Sequence, residues 1–224
     1  MKIEDILKPL KLRKGAGDSF HNGLCFMEAV SWLGGETCSD TPDCACLVLG
    51  KFGIGLNDRL DDEQRQKLIP LSFEMLGTRS KEHEIMRAEY IVIQVAKRIL
   101  SQVFDEIGLV DIADEYRQVS SIIDVRRVSD AAYSAAYADD VAAYAAAYAA
   151  AYATRAADAA DSVSYAIHAA DAARATAKQK LMLDCIPILK EAIGLGPNGR
   201  LDDVVIERAI DLSRFVNETL LTED

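Results

Sequence analysis

Tyr133, Tyr137, Tyr144, Tyr148 and Tyr152 follow one another at spacings of 4, 7, 4 and 4 residues. At about 100° per residue of helix they fall within roughly a 100° arc of one face. Asp140 and Arg155 project from that face, on a floor of alanine methyls. A phenol offers a flat surface for stacking and a hydroxyl for hydrogen bonding. A guanidinium pairs with phosphate or carboxylate. The chemistry these types suit is recognition of a flat, anionic molecule, so Tyr133, Tyr137, Asp140, Tyr144, Tyr148, Tyr152 and Arg155 are the candidate ligand-binding residues. The stripe also has a structural reading, in which the rings fill the gap where a second helix packs. The two readings merge if the stripe lines a groove between helices.

Two other constellations carry chemistry. His21 and Cys25 stand four apart, and Cys38 and Cys44-x-Cys46 follow. Thiols and an imidazole this close can hold zinc, which makes His21, Cys25, Cys44 and Cys46 weak metal candidates. The spacing is not a pair of C-x2-C knuckles, and a reduced cysteine is commonly a small buried hydrophobe. No activating pattern surrounds any cysteine, with His21 or His83 as base, so no catalytic residue is assigned and no cofactor is expected. Asn57-Asp58-Arg59, Asp61, Asp62, Glu63 and Arg65, followed by Arg79, form the third group. Dense carboxylates can hold Mg²⁺ for phosphoryl chemistry. The plainer reading is a loop and a helix N-cap at Asp61. Arg59, Arg65 and Arg79 are an alternative anion clamp.

The elements that position these groups are helices. The run from Ser129 to Lys180 is about half alanine, holds six of the eight tyrosines and contains neither Pro nor Gly. As one helix it would be roughly 75–80 Å long at about 1.5 Å per residue, so it must project, bend, fold back or pair with another chain. The expected fold is all-α: a helical N-terminal domain over 1–120, then over 121–224 a long Ala/Tyr-rich helix or helical hairpin and a C-terminal helix. Within the first domain, helices are expected over 3–13, from about Phe20 to Leu33, and from about Pro42 to Leu56. Gly50, Gly53 and Gly55 mark either close helix contact or a break in the last of these. A further helix begins at Asp62, and another runs from about Ser80 to Ile107. Short helices over Leu109–Val119 and Ile122–Val128 lead into the Ala-rich run, which Pro187 kinks or stops. A last helix is expected over about Leu201–Leu221.

The segment Cys25-Phe26-Met27-Glu28-Ala29-Val30-Ser31-Trp32-Leu33-Gly34-Gly35-Glu36-Thr37-Cys38-Ser39-Asp40-Thr41-Pro42-Asp43-Cys44-Ala45-Cys46 resembles a family of bacterial and phage proteins. So do Leu56-Asn57-Asp58-Arg59-Leu60, Asp62-Glu63-Gln64-Arg65-Gln66 and Leu76-Gly77-Thr78-Arg79. The resemblance covers the first half of the chain. It implies a helical N-terminal domain with an Ala-rich tail and a phage origin, not a chemistry. Where other members have an aromatic residue this chain has Cys38, so a shared metal site through Cys38 is not implied.

Composition narrows the partners. The formal net charge is −11, and Lys8, Lys11, Arg13 and Lys14 make the one basic cluster. A nucleic-acid polymer needs a basic face and is not expected as a partner. No apolar run approaches the ~20 residues of a membrane span, and MKIEDILKPLKLRK does not read as a signal peptide, so no membrane is expected. The expected location is the cytoplasm (the host's, if phage-encoded), where the five cysteines stay reduced. A helix with one aromatic stripe cannot bury that stripe alone, so a homo-oligomer is expected. The reading is a non-enzymatic binding protein for a small anionic or nucleotide-like ligand. With the phage resemblance, sequestration of a host signalling nucleotide against defence is its concrete form. The alternatives are an oligomerisation or interaction module without a small ligand, and a metal-dependent phosphohydrolase built on Asp58, Asp61 and Asp62.

Overall fold

The computed structural model describes residues 10–15, 23–136, 166 and 175–197. The regular elements among them are helices, and the one extended pairing is an isolated bridge between Leu12 and Leu24, so the fold is all-α as expected. The described residues form two compact units, one within Met1–Ser80 and Gly196–Asp224 and one within Lys81–Leu195. The division expected at residue 120 lies inside the second.

In the first unit, α1 (Phe26–Leu33) begins later than its apolar pattern suggested. Cys25 is its cap. The Glu28 N–H donates to the Cys25 thiol sulfur at 3.4 Å, and the Cys25 N–H donates to the Glu28 carboxylate at 2.7 Å. This reciprocal arrangement satisfies two amides that helix geometry leaves without partners. Gly34 and Gly35 close the helix, Gly35 at φ +70°. α2 (Leu47–Arg59) also starts later than Pro42. The Glu36 carboxylate accepts from the N–H groups of Asp43 and Cys44 at 2.6 and 2.7 Å, which holds 36–44 as a closed loop. The Cys46 N–H is taken by the Thr78 hydroxyl at 2.9 Å.

The glycines of α2 mark close contact rather than a break. A Cβ at Gly53 would lie 2.5 Å from the buried Phe26 ring, and one at Gly50 would lie 3.2 Å from Met27 Cε. α1 thus rests directly on the α2 backbone. α3 (Asp62–Arg65), a 3-10 turn (Gln66–Leu68) and α4 (Ile69–Glu74) follow in this unit. Of the helix expected over 3–13 the structure describes residues 10–13 alone. Its described part is extended, with the Arg13 N–H on Leu24 O at 2.9 Å and the Leu24 N–H on Lys11 O at 3.2 Å. On its other edge the Gln66 side chain pairs with both the N–H and the C=O of Leu12, at 2.8 and 2.9 Å. A side-chain amide here plays the part of a second strand.

The second unit contains α5 (Lys81–Val95), a π-helical turn (Ala96–Leu100), α6 (Ser101–Glu106), α7 (Val110–Gln118), α8 (Ile122–Ala136) and α9 (Ala175–Ile193). The helix expected from Ser80 to Ile107 is present with that π turn inside it. α9 passes through Pro187 without stopping. Arg98 of the π turn and the Tyr90 hydroxyl both donate to the Glu191 carboxylate of α9, at 3.0 and 2.6 Å. Those two donors hold the Glu191 carboxyl below its usual range, Arg98 contributing most. Nearby, Arg87 Nε donates to Leu195 O at 2.8 Å. At the centre, Tyr116 is wholly buried, its ring 5.3 Å from that of Phe104, and its hydroxyl bonds the Ser129 hydroxyl at 3.0 Å.

Gly53→Ala is expected to destabilise the protein by about 1–3 kcal/mol, because an overpacked core must shift. Tyr116→Phe and Ser129→Ala are each expected to cost about 1–2 kcal/mol by leaving a buried hydroxyl unpaired, and the double variant less than their sum. Urea denaturation of the wild type and the four variants measures both effects; additive costs for Tyr116 and Ser129 would show that the bond does not couple them.

Candidate functional site

The first candidate residue the structure describes is Tyr133, near the end of α8. This helix has a firm start. The Asp124 N–H donates to the Ser121 hydroxyl at 3.1 Å, while the Asp124 carboxylate accepts from the Ser120 N–H and both serine hydroxyls at 2.9–3.0 Å. These donors, the Ser120 N–H foremost, hold the Asp124 carboxyl below its usual range. α8 buries Val125, Val128, Ser129 and Ala132 against its own unit. Ile123, Arg126 and Asp130 are exposed, and Tyr133 is half-buried. At about 100° per residue the last four span roughly an 80° arc, centred roughly 130° away from the buried set. Tyr133 therefore belongs to the outward side of α8, at its edge.

Residues 123, 126, 130 and 133 are spaced 3, 4 and 3, and Tyr137 follows four later. The outward stripe of α8 is thus the upstream continuation of the tyrosine register. Sequence reasoning missed Ile123, Arg126 and Asp130 because it started the stripe at its first tyrosine. The signal was the same helical spacing, carried by mixed residue types. Tyr137, Asp140, Tyr144, Tyr148, Tyr152 and Arg155 lie outside the described residues, as does His21.

The cysteines are structural where they are described. Cys25 caps α1 and is buried; burial first, and the Glu28 charge after it, push its thiol up to about 12. Cys44 is half-buried beside Gly34, where a Cβ would come within 2.8 Å of its sulfur. Burial and the adjacent Glu36 carboxylate push its thiol up to about 12. Cys46 is buried at the N-cap of α2 with no side-chain capping bond. Cys185, inside α9, is also raised by burial. All five cysteines are free, and only Cys38 is exposed. The raised thiols of Cys25, Cys44 and Cys185 stay protonated at neutral pH, and the thiolate is the form that attacks or ligates.

The acidic group is likewise engaged in structure. Asp58 accepts from the Gly15 N–H at 3.0 Å and from Asn57 Nδ2 at 3.1 Å. Asp61 caps α3, accepting from the Gln64 N–H at 2.8 Å. Asp62 pairs with Arg65. Arg65 is buried, and it also donates from Nε to Asn57 O and from Nη2 to Leu60 O, both at 2.6 Å. Arg59 donates to Gly55 O at 3.1 Å and Arg79 to Ala45 O at 3.4 Å. The guanidiniums offered as an anion clamp are thus directed at backbone carbonyls. Among the described residues no three His, Cys, Asp or Glu side chains converge as a metal ion would require. Among them also, no helix is long and apolar enough to cross a membrane.

No protein-family model, curated protein or solved structure matches this chain.

At pH 8 a thiol reagent is expected to modify one cysteine quickly, and Cys38→Ser to remove that phase. The other four should react only as the protein unfolds, because Cys25, Cys46 and Cys185 are buried, and burial with the adjacent Glu36 carboxylate suppresses the Cys44 thiolate. Fast labelling of Cys25 or Cys44 in the native protein would contradict the arrangement.

Proposed function

We propose that this protein is a non-enzymatic binding protein whose ligand surface is the tyrosine-bearing helical face that begins on α8. Its ligand is small, flat and anionic, of the nucleotide class. The observation supporting this reading is the division of α8 into two faces. Its own unit takes up Val125, Val128, Ser129 and Ala132, and the register that leads into the tyrosines is turned away from them. Tyrosines that merely completed this core would share the register of Val125 and Val128.

Stacking and hydrogen bonding by phenols give affinity for an aromatic ring without demanding one base over another. A guanidinium adds the contact to phosphate. Tyr144 and Arg155 are the residues assigned these roles, on the sequence register that Tyr133 begins. The resemblance to phage proteins makes a host signalling nucleotide the concrete candidate, held rather than turned over. The competing phosphohydrolase reading loses support from Asp58, Asp61 and Asp62, each of which serves a backbone amide or Arg65.

The test is native mass spectrometry of the protein as purified from cells, then equilibrium binding of a panel of linear and cyclic nucleotides. Retained mass of a few hundred daltons with ultraviolet absorbance, or binding from the panel, is expected. Tyr144→Ala and Arg155→Ala should each abolish it while helical content holds. Neither retention nor panel binding in the wild type, or unchanged binding in both variants, would overturn the proposal.

A further inference from the structure

No further inference is drawn: the strongest candidate, the small apolar cleft lined by Met27 of α1, Pro42 and Ala45 of the loop before α2, and Leu47, Gly50 and Ile54 of α2, carries nothing because nothing in the structure shows what fills it.

Discussion

The hydrogen bond between Tyr116 and Ser129 fixes what α8 can do. A wholly buried phenol must place its hydroxyl on a partner, and Ser129 supplies one from the middle of the helix. A serine in that position is otherwise a poor choice for a helix interior. With Ser129 turned inward, Val125, Val128 and Ala132 follow it by helical geometry, and Ile123, Arg126 and Asp130 must lie outward. The rotation of α8 is thus set by a directional bond, not by apolar burial alone. Valine and alanine methyls would tolerate a range of rotations; a 3.0 Å hydroxyl contact tolerates few.

The first unit shows the same use of polar groups for architecture. Arg65 is buried without being a site because its nitrogens meet Asn57 O, Leu60 O and Asp62. The first two are carbonyls at the C-terminal end of α2, where helix geometry leaves acceptors unpaired and the macrodipole favours a cation. Glu36 performs the converse service for the amides of Asp43 and Cys44, and Gln66 serves both groups of Leu12. Residue types that suggest an anion clamp or a metal cage are spent on backbone groups that would otherwise be buried unsatisfied.

That pattern explains which parts of the fold were legible. The helical class, the Asp61 cap and the long helix after Ser80 were all readable, since they rest on spacing and on local cap chemistry. The start of α2 was not, because Pro42 suits a first helical turn, whereas Glu36, from outside the window, holds the Asp43 and Cys44 amides in a loop. The extended Leu10–Arg13 stretch was hidden for a related reason. Its apolar spacing suits a helix, but Leu24 and Gln66 supply strand-like partners from far along the chain. The π turn at 96–100 left no mark in the sequence, although Arg98 within it reaches Glu191. Of the candidate ligand-binding residues Tyr133 alone lies among those described, and the side of α8 on which it stands was not legible. Direction depends on Ser129, a residue whose type alone does not distinguish a core partner from a surface hydroxyl.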